Sequence, residues 1–562
     1  MPVINFTYDE LFKKLGKELP KDELINILPM ISSDVEGYDD NEVKTEFFPN
    51  RPDNYSVEGI VRSLKGYLDI EVGMPKYDVK ETDITINVDE KLEDIRPYVA
   101  SCIIRNVSIN DEQLKNLMEF QEHLHWVIGR DRKKVAIGIH DLDKTAGGPF
   151  YYKAGIPDET TFIPLEHTEE LTLNEILLEN EKGEKYAILL DDFKYYPLIV
   201  DSEDNIMSMP PIINSDKTKL TTDTKNLFID VTGTELNAVT NALNIIAANL
   251  AENGATIETI TVNYPYHENL TYPDFECREM EVHRKVAEEY IGISLTADKI
   301  VECLEKTRFD AKKIDEDTVL VTIPRYRIDI LHEVDLIENI AFGYGFNDLP
   351  AELPDFSTVA NPDPKREFDK IVEQLMIGLG FTEIKSLMLT SEDQHYKKLN
   401  HEIDDDHIRV SQPITQDRTM IRQTLINSLL EFLEDNKHEE LPQKIFEIGD
   451  VAYLDESKET KMVTVKKLAA AQISTEANFT TIKSIVESFV SNMGFNMTLE
   501  DSDNPTFIMG RCAKFTATPM FNNTPFTFKG YFGEISPDVL TNFELEYPTI
   551  AFEVEFSENK EE

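Results

Sequence analysis

The sequence has few cysteines, no long apolar runs and little basic charge. The four cysteines lie far apart and form no CxxC pair, so neither a zinc site nor a disulfide framework is indicated; we expect buried reduced thiols at Cys102, Cys277, Cys303 and Cys512. No apolar run approaches the roughly 18 residues of a membrane helix. The first residues, MPVINFTYDELF, lack the basic and apolar segments of a signal peptide. We therefore expect a soluble cytoplasmic protein.

The shortage of basic residues restricts the partners. The chain has 56 Lys and Arg against 106 Asp and Glu, a net charge of −50. Neutralising phosphates with Lys and Arg supplies most of the non-specific affinity for nucleic acids. The chain therefore does not fit a general nucleic-acid binder. Contact with a nucleic acid would need a local pocket or a more basic partner beside it.

Common catalytic motifs are also missing. The sequence contains no GxxxxGK[ST] loop, no GxGxxG after a predicted strand, no HExxH and no GxSxG. These are the usual ways to cradle a nucleotide phosphate, hold catalytic zinc or present a serine nucleophile. Their absence disfavours an enzyme that uses ATP on its own.

The length of 562 residues predicts three or four domains. Composition and periodicity divide the chain into an N-terminal module, a polar linker with a short edge strand, a mixed α/β domain, a compact helix–helix–hairpin–helix unit, a proline-rich linker and a final α/β region. The corresponding residues are 1–75, 76–95, 96–265, 278–350, 350–364 and 364–562.

Local signals predict several individual elements. Ser56 is predicted to cap a helix with an inward apolar face, and Thr296 to cap the helix ADKIVECLEKT. Gly254 is predicted to end the helix that begins near residue 235. The segment EVHRKVAEEYIG has a helical period, and EIKSLML is predicted to be a strand.

The segment IPRYRIDILHEVDLIENIAFGYG carries the densest polar chemistry. At about 100° per helical residue, Asp335, Glu338 and Asn339 share one face, and Asp329 lies just before the helix. Magnesium typically takes one or two carboxylates and keeps its waters. On these residues alone, a solvated acidic face explains the pattern better than a metal site.

A second group of polar residues lies in SMPPIINSD and NLFIDVTGTE. Ser208, Asp230 and Thr232 offer small polar groups, and Met209-Pro210-Pro211 predicts an extended rigid wall. Such a pocket can hold an aminoacyl group while hydroxyls orient a water molecule. The alternative is ordinary turn hydrogen bonding by these residue types.

The sequence around the histidines favours structural roles for them. In VAIGIHDLDKTAGG, we interpret His140, with Asp141 and Asp143 beside it, as a satisfied histidine at a strand end and not as a metal ligand. Three further aromatic side chains lie in a predicted helix and are interpreted as packing residues: His123, His125 and Trp126.

The order of these segments resembles the phenylalanyl-tRNA synthetase β chains of the archaeal and eukaryotic branch over nearly the whole chain. FFPNRPDNYSVEG resembles the family's N-terminal module, and RPYVASCIIRNV, VAIGIHDLDK, SMPPIINS and IDVTGTE resemble its tandem editing module. RYRIDILHEVDLIENIAFGYGFNDLP resembles its small metal-bearing module. VSQPITQDRTMIRQTLINSLL, FEIGDVAYL and GRCAKF…GYFGEISPDVL resemble its catalytic-like core.

The resemblance implies an α/β and α+β multidomain fold: a small N-terminal module, a tandem α/β editing module, a small helical metal-bearing module and a class II synthetase-like antiparallel-sheet core without a working ATP site. It implies an α₂β₂ tetramer in which the α subunit uses ATP to attach phenylalanine to tRNA(Phe), while the β chain proofreads mischarged tyrosyl-tRNA(Phe). The family's Mg²⁺ ligands, shared near the α subunit, fall on Asp329, Asp335, Glu338 and Asn339, although a carboxylate is commonest at the last position. Its editing residues fall on Ser208, Asp230 and Thr232.

Two other function classes remain open. A free-standing deacylase would act on tyrosyl-tRNA, and a non-enzymatic scaffold could descend from a synthetase core. The region after residue 364 argues against the deacylase, because hydrolysis alone does not need it. The near-complete editing module argues against the scaffold.

Overall fold

The computed structural model describes residues 2–353, 358–520 and 526–558. The chain divides after Leu353 into two units, within the proline-rich segment predicted to be a linker, of which residues 354–357 lie outside the described ranges. Within these ranges no helix is long and apolar enough to cross a membrane. The four cysteines are free thiols; Cys277 is partly exposed, and the other three are buried as predicted.

The first unit begins with a small sheet and three helices. They comprise β1 (Val3–Thr7), α1 (Tyr8–Leu15), α2 (Lys21–Ile27), β2 (Ser33–Tyr38), β3 (Glu42–Phe47) and α3 (Val57–Tyr67). The strand order is β1-β3-β2. The predicted cap is confirmed, because the Ser56 Oγ accepts a hydrogen bond from the Gly59 N–H at the start of α3. Buried side chains of this module and of the following domain form one continuous apolar cluster.

A large mixed sheet follows. Its elements are β4 (Val79–Lys80), β5 (Thr85–Val88), β6 (Tyr98–Arg105), α4 (Asp111–Val127), β7 (Val135–Asp141), β8 (Phe150–Gly155), β11 (Tyr196–Val200), β12 (Ile206–Met209), β13 (Ile213–Asn214), β14 (Asn226–Gly233), α7 (Leu236–Ala251), β15 (Thr256–Asn263) and β16 (Leu270–Tyr272); beside them lie β9 (Thr161–Phe162), β10 (Leu171–Thr172), α5 (Leu173–Glu179) and α6 (Glu181–Tyr186). The strand order is β13-β12-β11-β8-β5-β15-β6-β14-β7, and β4 and β16 also pair with β15.

Three predictions in this region differ from the structure. Residues 85–88 are neither a linker nor an edge strand, because β5 lies inside the sheet and pairs in parallel with β8 and β15. The wall predicted at Met209-Pro210-Pro211 is a tight turn between β12 and β13, where the Ile212 N–H donates to the Met209 carbonyl at 2.8 Å. The helix predicted to end at Gly254 stops at Ala251, and Gly254 adopts a positive φ of 80° in the turn that follows.

The region 278–350 contains the predicted order of helix, helix, hairpin and helix, and one further strand at its start makes it an α+β unit with a three-stranded sheet. Its elements are β17 (Arg278–His283), α8 (Arg284–Ile291), α9 (Ala297–Lys306), β18 (Asp310–Lys313), β19 (Thr318–Ile323) and α10 (Glu333–Tyr344), with strand order β17-β19-β18. The segment predicted as one helix from residue 281 is strand up to His283, because these residues pair with β19. The Thr296 cap of α9 is confirmed by its bond from the Lys299 N–H.

The second unit is built around a seven-stranded, largely antiparallel sheet of its described residues. Its elements are α11 (Pro364–Gly378), β20 (Thr382–Glu383), β21 (Leu389–Thr390), β22 (Met420–Ile421), α12 (Ile426–Asp435), β23 (Gln443–Leu454), β24 (Met462–Ile473), α13 (Phe479–Asn492), β25 (Phe495–Asp501), β26 (Phe507–Pro519), β27 (Phe526–Ile535), α14 (Pro537–Asn542) and β28 (Thr549–Glu558). The strand order is β20-β23-β24-β28-β27-β26-β25. The strand predicted over EIKSLML is wrong, since only its ends belong to the short strands β20 and β21.

Candidate functional site

A cavity of about 460 Å³ opens in the large sheet domain, a volume typical of small-molecule sites. Its walls come from β7, β14, the β12–β13 hairpin and α4. These elements lie at separate places along the sequence. Most of the lining is apolar, including Ile137, Ile139 and Ile212. Two predicted site residues, Ser208 and Asp230, share this cavity.

Asp230 is a buried carboxylate in an apolar wall. It lies on β14, is 1% exposed, and its Oδ2 is 2.9 Å from the Nε2 of His140 on β7. The Nδ1 of His140 is in turn 2.8 Å from the Oγ1 of Thr218. His140 thus has a partner on each ring nitrogen, in agreement with our interpretation of it as a satisfied histidine. Thr218 lines the cavity, and the sequence reasoning missed it.

Gly138 makes this arrangement possible. It faces Asp230 across the β7–β14 ladder. A Cβ at residue 138 would lie 2.2 Å from the Asp230 Oδ2 and 2.8 Å from the His140 Nε2. Any larger side chain would therefore displace the carboxylate or the imidazole.

Three polar atoms in the wall have no hydrogen-bond partner among the described residues: the Oγ of Ser208, the Nε of Arg132 and the Nδ1 of His125. All three residues are buried and line the cavity. The Nη1 of Arg132 holds the β12–β13 turn, donating to the carbonyls of Pro211 and Ile212 at 3.2 and 2.9 Å, while its Nη2 donates to a carboxylate oxygen of Glu122 at 2.6 Å. Because unpartnered buried polar atoms cost free energy, such a cavity favours a ligand with polar groups of its own.

Thr232 does not share the cavity lining described. It is fully buried, and Arg96 binds it twice, through Nε to Oγ1 at 2.9 Å and through Nη2 to the carbonyl at 2.7 Å. Burial lowers the pKa of Arg96 to about 10, although the nearby Tyr152 and Asp230 oppose the shift. Arg96 still carries its charge at neutral pH, so the Thr232 hydroxyl is committed to a structural contact.

The interpretation of the α4 aromatic residues as packing residues is wrong for Trp126. Its side chain is 53% exposed, so it faces solvent. His125 is buried, accepts a hydrogen bond from the Ile137 N–H at 2.7 Å and also lines the cavity. His123 is partly buried, and its ring contacts Tyr55 edge-on.

Arg327 binds two of the four predicted metal ligands. Its guanidinium binds both Asp329 oxygens, at 2.9 and 2.7 Å, and the Asn339 Oδ1 at 2.9 Å. Asn339 is buried on α10 whereas Glu338 is exposed, so the predicted polar face is not solvated at position 339. The Asp335 Oδ2 accepts hydrogen bonds from the N–H groups before α10, both at 2.7 Å.

Glu338 is the exposed carboxylate of this cluster. Partial burial, and then the charges of Asp329 and Asp335, raise the pKa of Glu338 above its ordinary value. A cation beside Glu338 would oppose this repulsion. Within the described ranges, however, no group of three or more His, Cys, Asp or Glu side chains is arranged to hold a metal ion. The four-residue ligand set stays a prediction.

The second unit contains a polar cavity of about 270 Å³. Its one buried cation, Lys467, is paired with Glu553 at 2.8 Å, and Glu553 also accepts hydrogen bonds from the hydroxyls of Thr424 and Tyr531. Burial lowers the pKa of Lys467, but the charge of Glu553 outweighs this and holds the pKa above its usual range. The ammonium charge is therefore already compensated by the protein.

Comparison with known proteins decides the family. Models of three domain families match: the B3/4 domain over residues 103–250, the tRNA synthetase B5 domain over 280–346 and the phenylalanyl-tRNA synthetase beta chain CLM domain over 349–556. The chain is 79% identical over 558 residues to the phenylalanine–tRNA ligase beta subunit of Methanosphaera stadtmanae, covering 99% of this chain and 100% of that protein. The chain belongs to the phenylalanine–tRNA ligase beta subunit family.

Other members of the family agree with this result. The beta subunit of Methanosarcina barkeri is 40% identical over 558 residues, covering 99% of each chain. The crystal structure of an N-terminal fragment of the Pyrococcus horikoshii phenylalanyl-tRNA synthetase beta subunit is 38% identical, with a TM-score of 0.59, and covers 61% of this chain and 99% of the fragment. The predicted resemblance is confirmed. The large cavity lies mainly in the B3/4 region and the acidic cluster in the B5 region of this family.

Proposed function

We propose that this chain is the β subunit of a phenylalanine–tRNA ligase. It works with a separate α subunit in an α₂β₂ tetramer, which attaches phenylalanine to tRNA(Phe) with ATP. Full-length similarity to the beta subunits supports this proposal. We place the ATP chemistry on the α subunit. In the catalytic-like core, Lys467 is neutralised by Glu553 and is not free to bind phosphate.

The same chain proofreads tyrosyl-tRNA(Phe) in the large cavity. The observation that carries this proposal is a buried carboxylate, Asp230, in a largely apolar wall. An apolar pocket alone rejects an added hydroxyl by only about 10²-fold. A carboxylate that accepts a hydrogen bond from the phenolic hydroxyl recognises tyrosine directly, and phenylalanine would leave that acceptor unpaired.

Ser208 and Thr232 have different roles in the proposed editing reaction. The unpartnered hydroxyl of Ser208 is available to the ester or to a water molecule that attacks it. Thr232, held by Arg96, supports the strand that carries Asp230. The test is hydrolysis of preformed tyrosyl-tRNA(Phe) by the assembled tetramer, with phenylalanyl-tRNA(Phe) as the control. Hydrolysis of both at the spontaneous rate would refute proofreading.

Magnesium is proposed at the acidic cluster of α10, near the α subunit. Among the four predicted ligands, Asp335 and Glu338 fit direct contact with the ion or its waters, because one or two carboxylates are typical for Mg²⁺. Arg327 binds Asp329 and Asn339. These two residues would either stay bound to Arg327 and influence the ion indirectly, or leave Arg327 and contact the ion. When bound, the ion would stabilise this part of the fold electrostatically.

A further inference from the structure

Asp230 can serve as a recognition group only if its carboxylate is held in one orientation. A buried carboxylate with a single fixed partner on one oxygen keeps its second oxygen free for a ligand. Among the described contacts, the hydrogen-bond partner of Asp230 is the His140 imidazole, on its Oδ2. His140 is 0% exposed and does not belong to the cavity lining, so it acts on the substrate only through its hydrogen-bond partners, Asp230 and Thr218.

Asp230 fixes which ring nitrogen of His140 carries the proton, and Thr218 is the partner of the other nitrogen. A neutral imidazole donates from one nitrogen and accepts at the other. The carboxylate of Asp230 accepts only, so Nε2 must donate to it; in the neutral ring, Nδ1 then accepts the hydrogen bond of the Thr218 hydroxyl, 2.8 Å away. Thr218 and Asp230 therefore line the cavity at the two ends of one continuous hydrogen-bond chain.

We propose that His140 is a positioning residue for proofreading, which holds Asp230 in the orientation that accepts the tyrosyl hydroxyl. This inference rests on the proposed editing function of the cavity. The substrate class is the tyrosyl ester at the tRNA 3′ end. Gly138 supports the same arrangement, because its missing side chain leaves room for the Asp230–His140 contact. A displacement of about 1 Å at such a site costs about 10²-fold in rate.

Two substitutions at His140 test the inference in the α₂β₂ enzyme. The amide nitrogen of His140→Gln reaches close to the position of Nε2 and can still donate to Asp230. The asparagine side chain of His140→Asn is shorter, and its amide reaches only toward Thr218. We expect His140→Asn to lower kcat/KM for tyrosyl-tRNA(Phe) hydrolysis about 10²-fold, with His140→Gln within a few-fold of wild type. The tyrosyl-to-phenylalanyl hydrolysis ratio should fall only in His140→Asn. Phenylalanine attachment should stay unchanged in both.

The possible outcomes separate the inference from the proposed function. If wild type does not hydrolyse tyrosyl-tRNA(Phe), both are overturned. If Asp230→Ala slows hydrolysis and both His140 variants retain the wild-type rate, only the positioning role is overturned. Equal losses in the two His140 variants, with an unchanged tyrosyl-to-phenylalanyl ratio, would show a purely structural histidine and would also overturn it. Thermal unfolding of each variant checks that the domain is folded.

Discussion

Asp53 and Arg62 form a buried ion pair of 3.3 Å in which each side chain is only 1% exposed. Arg62 lies on α3, and its Nη1 also donates to the Asn249 Oδ1 on α7 at 2.8 Å. The pair therefore connects the N-terminal module to the large sheet domain. Burial raises the pKa of Asp53, but the charges of Arg51 and Arg62 outweigh it and hold the pKa well below its usual range.

We expect Arg62→Met to destabilise the first unit by about 3 kcal/mol, because removing one partner leaves a buried charge poorly compensated. The matched control is Lys115→Met in the exposed pair with Glu119, which should cost less than about 1 kcal/mol. Thermal and denaturant unfolding of the full chain measure both. If the two substitutions lowered the free energy of unfolding equally, the buried pair would contribute no more than the exposed one, and the prediction would be contradicted.

The same pair predicts the direction of acid sensitivity. Asp53 has a lower pKa in the folded chain than in the unfolded chain, so its stabilisation is fully present above the unfolded pKa of roughly 4. It is lost as the pH falls through the folded pKa. Asp53→Asn should therefore show a flatter decrease in stability than wild type below about pH 4. Parallel curves of unfolding midpoint against pH would count against this account.

The proposed editing role of Asp230 predicts a selective loss of proofreading. Asp230→Ala removes the acceptor for the tyrosyl hydroxyl, and hydrogen bonds to charged groups contribute about 1.5–3 kcal/mol. Hydrolysis of tyrosyl-tRNA(Phe) should slow by about tenfold or more, while phenylalanine attachment remains nearly intact. Equal hydrolysis rates in wild type and variant would show that Asp230 does not belong to the editing site. Equal losses of attachment and hydrolysis would indicate an unfolded domain.

The acidic cluster predicts a stability response to magnesium. Mg²⁺ should raise the unfolding temperature of the wild-type tetramer, because a cation would oppose the effects of burial and of the Asp329 and Asp335 charges, which raise the pKa of Glu338. Glu338→Gln should abolish this response. The substitution removes none of the hydrogen bonds described for the cluster. The control is Glu333→Gln, at the start of the same helix but bonded to His283. A response that survives in Glu338→Gln and not in Glu333→Gln would place the ion elsewhere.

How much the sequence revealed depended on how local each interaction is. The caps at Ser56 and Thr296 could be predicted because donor and acceptor lie three residues apart. The strand β5 could not, because its four residues bury only Ile86 completely and its partners β8 and β15 come much later in the chain. In the cavity, Ser208 and Asp230 were predicted from their residue types and from the resemblance. The Asp230–His140 contact spans 90 residues and depends on the register of β7 against β14, which no local pattern encodes.

Gly138 gives the most direct test of that register. In Gly138→Ala the new Cβ would lie 2.2 Å from the Asp230 Oδ2, so the carboxylate must move or rotate. We expect hydrolysis of tyrosyl-tRNA(Phe) to fall about 10²-fold, the usual effect of a displacement near 1 Å. The control is Gly378→Ala at the end of α11, where a Cβ meets nothing within 4 Å. That substitution should leave hydrolysis unchanged and be neutral or stabilising by up to about 1 kcal/mol. Wild-type hydrolysis by Gly138→Ala would mean that Asp230 does not need its observed orientation, and the site would then have to be sought on another wall of the cavity.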